Sequence, residues 1–350
     1  MRRMAGLFSS VGLVGCIDTS PLGSAPGGSS SSSTAAAETS TTSTTAPPAG
    51  PTTGEGTTGA ADSGGLPGNV GKGEVRFVAL GDAGEGNEGQ AAVAQGIATV
   101  CAERGCDFAL YLGDNIYDVG VDSAMDLQFD QKFEVPYADL DFPFYVALGN
   151  HDYGALGNEW DKGDYAIEYS TYSDKWTLPA ATYSFQQENV HFVALDTAQL
   201  FWDHDTDLQR QFLAEDLAGL QDTWIIAFGH HPYISNGKHG NAGHYEGLGG
   251  LIGGATVQEF FESEVCGRAH VYLCGHDHDR QWLLSQCGTE FLVSGAGAKL
   301  TELPRRDENP THWDNNEIEG FLWVEIIDDT FTGVFYDRDG NAQFERTLVL

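Results

Sequence analysis

Five times along this 350-residue chain a short apolar run breaks into glycine followed by an Asp, Asn or His. Residues 75–80 lead into Gly81-Asp82, and 109–112 into Gly113-Asp114. Residues 144–148 lead into Gly149-Asn150-His151, 224–228 into Gly229-His230, and 270–274 into Gly275-His276-Asp277-His278. Runs of this length without strict alternation read as strands covered on both faces, as in a parallel sheet. In an open α/β sheet, ligands bind at the carboxyl ends of the strands. Glycine lets the backbone turn sharply there, so that the next side chain points into the crevice. Five such ends meeting at one point would gather carboxylate, carboxamide and imidazole donors around two metal ions.

The segments between these runs support the same architecture. Apolar spacing predicts helices over 88–103 and 124–133, each between two strands, which is repeated βαβ with a parallel sheet. Residues 182–187 and 190–195 read as a hairpin about Glu188-Asn189, and 207–220 and 257–265 as further helices. The last part is strand-rich, with Asp339-Gly340 as a hairpin turn. Asp337 to Asn341 superficially suggests a calcium loop, but its ligand spacing and closing Glu are wrong, so it reads as that turn. His276 and His278 are two residues apart at a strand end, so both imidazoles can point to one side.

Composition divides the chain into residues 1–16, 17–72 and 73–350. From 18 to 71 nearly every residue is Ser, Thr, Gly, Ala or Pro, too little apolar surface to offset the entropy of ordering, so this is a tether. Ahead of it, Arg2 and Arg3 precede a short apolar stretch ending in Leu13-Val14-Gly15-Cys16. That is similar to the lipobox of bacterial lipoproteins, and implies cleavage before Cys16 and a lipid on its thiol. A plain secretory leader with an incidental Cys, or no leader, are the alternatives. On the first reading the protein is exported and held at the cell envelope, and otherwise it is periplasmic or secreted.

The net charge is −34. Residues 1–72 hold Arg2, Arg3 and Lys72 against Asp18, Glu38, Glu55 and Asp62, so −33 falls on the remainder. Such a surface repels nucleic acid and anionic lipid, and phosphate must be drawn by a local pocket. Contact with a membrane is expected only through Cys16. An exported domain favours disulfides. Cys101 and Cys106 bracket a helix-to-strand turn, Cys266 and Cys287 flank the fifth run, and Cys274 is left as a buried strand thiol. Five reduced cysteines are the alternative, since spacing does not prove connectivity.

In chain order the signatures are G-D-A-G, G-D-N-I-Y, G-N-H-D, G-H-H-P and G-H-D-H. Their order, with Tyr117 three residues after Asp114, resembles the purple acid phosphatase branch of the calcineurin-like metallophosphoesterase superfamily, and its small tartrate-resistant type above all. Tyr165-Ala-Ile-Glu-Tyr-Ser, Lys175-Trp176, Pro179, Leu195-Asp196-Thr197 and Ser294-Gly-Ala-Gly297 extend the likeness from residue 74 to the end. The resemblance implies an α/β fold, a four-layer αββα sandwich with two mixed β-sheets. It implies that Asp82, Tyr117 and His278 bind the first ion, that Asp114 bridges, and that Asn150, His230 and His276 bind the second. Fe(III) would sit beside Tyr117, whose phenolate gives the family its colour, with a divalent Fe, Zn or Mn as partner. His151 and His239 would be the substrate-side histidines, with Asp152 and His231 supporting. In the doublet, His230 is taken as the ligand because Gly229-His230 aligns with the strand end. Ala83 departs from the Trp that relatives often carry there, which would loosen the surroundings of the first ion.

These readings converge on an acid phosphatase that hydrolyses small phosphate monoesters by attack of a metal-bound hydroxide. A phosphodiesterase or nucleotidase on the same site is the alternative within hydrolases, and a non-catalytic cell-surface binding protein is a remote one. The stretches 153–164 and 237–250 are expected to be loops that set substrate choice. His191, His204, His244 and His312 have no motif context, and Lys238, Tyr153, Tyr233 and Tyr245 are candidates for the mouth.

Overall fold

The computed structural model describes residues 71–350, Asp222 excepted. The leader and nearly all of the tether, Cys16 included, lie outside the described residues. Among the described residues fourteen strands form two seven-stranded sheets. In the first sheet β1 (Glu74–Leu80), β2 (Phe108–Leu112), β3 (Phe144–Ala147) and β4 (Trp176–Thr177) run parallel. The chain then builds the second sheet from β5 (Tyr183–Gln187), β6 (Val190–Ala194), β7 (Trp224–Phe228) and β8 (Val271–Cys274). To these it adds β9 (Arg280–Leu283), β10 (Glu290–Ser294) and β11 (Thr311–Asn315). Here β6, β7 and β8 are parallel neighbours, while β5, β9 and β11 pair antiparallel. Finally β12 (Gly320–Ile327), β13 (Thr330–Asp337) and β14 (Ala342–Val349) return to the first sheet, with β12 antiparallel to β1.

The sheets face each other across an aromatic core. Phe77 and Phe108, cross-strand partners in register on β1 and β2, stack at 5.3 Å between ring centroids. Phe192 of the second sheet meets both edge-on, at 5.4 and 5.3 Å. Tyr145 stacks on Phe185 at 3.7 Å, and Trp282 meets Phe331, Phe335 and Phe344 from across the gap. Truncating one of these fully buried rings, Phe77→Ala for instance, would cost about 3–5 kcal/mol.

Helices cover the outer faces, which makes four layers. Helix Glu88–Arg104 buries Val93, Ala94, Ile97 and Val100, a spacing of three and four that places them on one stripe. It begins where the Asn87 side chain accepts from Gln90 N at 2.8 Å, and its last residue, Arg104, lays its guanidinium over Trp323 of β12 at 3.9 Å. Under the second sheet, Leu213 of helix Thr206–Asp216 and Val257 and Phe260 of helix Ala255–Phe260 join Phe261, Tyr272 and Phe291 in a second cluster.

Several expected boundaries move. The helix expected over 124–133 is one short turn, Leu127–Phe129, started by Asp126 capping Gln128 N, and it widens at once into a π turn, Asp130–Glu134. The helix expected over 207–220 stops at Asp216, and that over 257–265 starts at Ala255 and loosens after Phe260. Helix Trp160–Tyr169 was not expected, and it cuts into the stretch 153–164 taken for a loop. The Asp337 carboxylate accepts from Asp339 N at 3.0 Å and Asn341 N at 2.9 Å, the pattern of a turn. Cys101 is bonded to Cys106 and Cys266 to Cys287, and Cys274 is a buried thiol.

Candidate metal centre

The five strand ends meet. Parallel pairing brings the ends of β1, β2 and β3 level in one sheet and those of β7 and β8 level in the other. The turns after them carry Asp82, Asp114 with Tyr117, Asn150 with His151, His230, and His276 with His278. The reason for the glycines differs from the one expected. Of the five, only Gly113 has a positive φ, 86°, whereas Asp82, Asp114 and His276 themselves are left-handed at 56°, 53° and 70°. The glycines are there because the ends crowd. A Cβ on Gly275 would lie 2.4 Å from Asp82 Oδ2, and one on Gly149 2.3 Å from Asp114 N. Asp is among the residues that enter the left-handed region at least cost.

Two foci of lone pairs result, and Asp114 belongs to both. At the first, Tyr117 Oη lies 3.0 Å from Asp82 Oδ1, 2.8 Å from Asp114 Oδ2 and 3.3 Å from His278 Nε2. One hydroxyl proton cannot serve both carboxylates. At the second, His230 Nδ1 lies 3.0 Å from the Leu112 carbonyl and so carries the proton, which turns the Nε2 lone pair inward. That atom is 3.1 Å from Asn150 Oδ1, 3.1 Å from His276 Nδ1 and 3.3 Å from Asp114 Oδ1. Single ligand atoms of Asp82, Asp114 and His230 all lie within 4.8 Å of one another, and all three residues are buried. Oxygen and imidazole lone pairs converging in a buried space fit hard and borderline cations. At each focus a cation would satisfy donors that no single proton can.

The electrostatics agree. Burial would push the Asp114 carboxyl up, but His230 and His151 outweigh it and hold the group well below the usual range. Burial works against charge on His230 too, yet Asp114 and Asp82 raise it to about 9. Burial, with Asp114 and Asp82, drives the Tyr117 phenol far up. His276 is pushed down by burial and by the surrounding imidazoles. The cluster is thus rich in carboxylate and short of positive charge.

The supporting residues are tightly held. Asp152 accepts from Asn115 N, Ile116 N and Gly149 N at 3.0, 3.1 and 2.8 Å, which ties the turn after Asp114 to the turn before Asn150. It also accepts from Asn115 Nδ2 at 2.8 Å, and has no bond to the His151 ring. Thr197 Oγ1 accepts from His230 N and His231 N, at 3.2 and 2.8 Å, so its own proton goes to His231 Nδ1, 3.0 Å away. His231, oriented by that bond, packs against His276 at 4.4 Å between ring centroids. Ala83 is fully buried, and Gly297 is so close that a Cβ there would lie 2.6 Å from Ala83 Cβ, so the small residue leaves no gap.

Two imidazoles stand at the mouth. His151 Nδ1 is 2.5 Å from the Asp118 carbonyl, and its ring is 4.6 Å from that of Tyr117. The His239 ring lies 4.2 Å from that of His276, and its Nδ1 bonds the Glu246 carboxylate. Tyr153 and Tyr245 are buried, bonded to Asp196 and to the Pro232 carbonyl, and Tyr233 stacks on Phe261, so these aromatics pack. His191 pairs with Asp216, and His204 stacks on Trp160. Among the described residues neither His191, His204, His244 nor His312 touches the two foci. Sequence reasoning assigned no role to Thr197, Glu246 or Lys299. Lys299 pairs with Glu85 and sets its ammonium 3.4 Å from the Tyr117 ring centroid. Thr197 was within reach, because it follows the end of β6, a sixth parallel strand end.

The calcineurin-like phosphoesterase family matches residues 75–280. The chain is 29% identical to human (Homo sapiens) tartrate-resistant acid phosphatase type 5 over 311 residues, covering 78% of this chain and 90% of that protein. It is 28% identical to purple acid phosphatase 4 of Arabidopsis thaliana, over 77% of this chain and 82% of that one. Among solved structures, GAP50, the anchor in the inner membrane complex of Plasmodium, superposes with a TM-score of 0.63 at 18% identity, covering 79% of this chain and 89% of its own. That likeness is one of fold. The chain therefore belongs to the calcineurin-like phosphoesterase family, as a purple acid phosphatase-like metallophosphoesterase.

Proposed function

We propose that this metal-dependent phosphatase is a binuclear acid phosphatase for phosphate monoesters. The observation that carries the reading is the division of Asp114, with Oδ2 toward Tyr117 and Oδ1 toward His230. Asp82, Tyr117 and His278 would hold Fe(III), Asn150, His230 and His276 a divalent Fe, Zn or Mn, and Asp114 both. When bound, two such ions polarise phosphoryl oxygens and lower the pKa of a bound water, which answers the repulsion between an anionic ester and its nucleophile. The protein's part is to hold every donor still. The Leu112 carbonyl and Thr197 fix His230, Asp152 fixes the loops of Asp114 and Asn150, and His151 and His239 are left at the mouth to hydrogen-bond the phosphate or its ester oxygen.

The surface charge of the domain argues against nucleic acid as a partner, and the proposed partners are small phosphorylated substrates drawn by the local pocket against that charge. The proposal places the enzyme outside the cytoplasm, lipidated at Cys16 and held off the membrane by the Ser/Thr-rich tether.

The test combines metal analysis and a visible spectrum with hydrolysis of 4-nitrophenyl phosphate and of its bis-nitrophenyl diester. The expected result is two ions per chain, one of them iron, a visible band, and preference for the monoester. Preference for the diester would replace the reading with a phosphodiesterase. A fully loaded protein that cleaves neither ester would make it a binding protein.

A further inference from the structure

His151 and His239 both stand at the mouth, but they are backed by different groups. His151 Nδ1 meets the neutral Asp118 carbonyl. His239 is clamped three times. Its Nδ1 bonds the Glu246 carboxylate, its carbonyl accepts from Glu246 N at 2.9 Å, and its own N–H donates to Asp277 Oδ1 at 2.7 Å. Asp277, fully buried between the two histidines of the G-H-D-H turn, also accepts from Ser235 Oγ at 2.5 Å, so the stretch bearing His239 is bolted to the strand end that bears His276 and His278. With Nδ1 committed to Glu246, Nε2 is the nitrogen left to meet a substrate, and among the described residues it has no polar partner.

Glu246 holds this position at a conformational cost, with φ at 57° in a residue that is not glycine. Its neighbour Tyr245 is buried and bonded to the Pro232 carbonyl, and beyond it Gly247, Gly249 and Gly250 stand in open space.

We infer that Glu246 is a positioning residue: through Nδ1 it fixes the ring orientation of His239 and aims Nε2 at the ester oxygen that leaves. The inference rests on the phosphatase reading above and assigns a role to a residue outside all five motifs. A carboxylate behind an imidazole commonly sets which nitrogen faces the site, and loss of such a partner costs about 10- to 100-fold in activity.

The test uses the metal-loaded full chain with Glu246→Ala, Glu246→Gln, His239→Ala and the double variant His239→Ala/Glu246→Ala. The substrates are 4-nitrophenyl phosphate, whose leaving group needs no help, and glycerol 2-phosphate, whose alkoxide does. Glu246→Ala is expected to lower kcat for the alkyl ester about 10- to 100-fold, with a smaller loss for the nitrophenyl ester and little change in KM or metal content. Glu246→Gln should recover most of the loss, because its amide oxygen still accepts from Nδ1. The double variant should be no slower than His239→Ala. Equal losses for both esters, or additive losses in the double variant, would overturn the inference. Nitrogen-15 spectra of the His239 imidazole in metal-free protein give a readout apart from turnover. They should change in Glu246→Ala, and unchanged signals would also overturn it. If the wild type cleaved no monoester, the phosphatase reading would fall, while these spectra would still decide whether Glu246 holds His239.

Discussion

His270, just ahead of β8, makes stability depend on pH in a calculable way. Its Nδ1 accepts from Ile225 N at 2.9 Å, so the ring proton sits on Nε2, which is buried without a partner. A second proton would have to enter at Nδ1 and face an N–H. Burial pushes the imidazole down to about 4 from an ordinary 6.5, in the same direction as the blocked Nδ1. The unfolded chain therefore binds a proton at pH values where the folded chain refuses it, and stability rises with pH wherever that holds. The contribution is complete above about pH 6.5, declines as pH falls toward 4, and changes no further below. Each pH unit in that window is worth about 1.4 kcal/mol, so the whole effect is about 3 kcal/mol. Urea unfolding of wild type and His270→Asn at pH 7, 5.5 and 4 isolates it, because the Asn oxygen can replace Nδ1 as acceptor while other titrating groups cancel in the comparison. The gap between the two proteins should shift by about 3 kcal/mol in favour of the variant on going from pH 7 to 4. Parallel stability profiles would refute the account.

His151→Ala should keep both ions and lower turnover by about two orders of magnitude, whereas His276→Ala should lose the second ion; metal analysis beside steady-state kinetics tells these apart, and the reverse pattern would exchange their roles. Tyr117→Phe, with little change in volume, should abolish the visible band while the fold and the other donors survive, checked by absorption and circular dichroism. Asp152→Ala frees the turns on either side of the centre, and should weaken metal retention about 10- to 100-fold in a chelator competition. Cys16→Ser should release the protein from a detergent-soluble membrane fraction, and equal retention of the two forms would remove the lipid anchor from the proposal.

The strand ends that meet at the centre were legible in the sequence because apolar runs ending in glycine and a polar residue report both a strand and its carboxyl end. What those glycines do was not, since the pressure on Gly275 and Gly149 comes from Asp82 and from the backbone of Asp114, on other strands of the site. The two-sheet architecture came from resemblance, because spacing alone does not say that β12 returns to pair with β1. Helix Trp160–Tyr169 escaped notice because Gly163 interrupts its pattern; that glycine is needed where the Tyr153 ring presses so close that a Cβ would lie 2.3 Å from it. Glu246 could not be found from local pattern, since a contact seven residues along a glycine-rich loop has no periodic signature.

Three of the donor-bearing strand ends belong to one sheet and two to the other. No fragment that stops before β8 has the donors of both foci, so the centre exists only after nearly the whole domain has been made and its sheets have docked. For a chain that crosses a membrane unfolded, assembly comes after passage. Were this chain exported in that state, the choice of ion would fall to whatever the outer compartment offers, and metal occupancy would record where the protein folded.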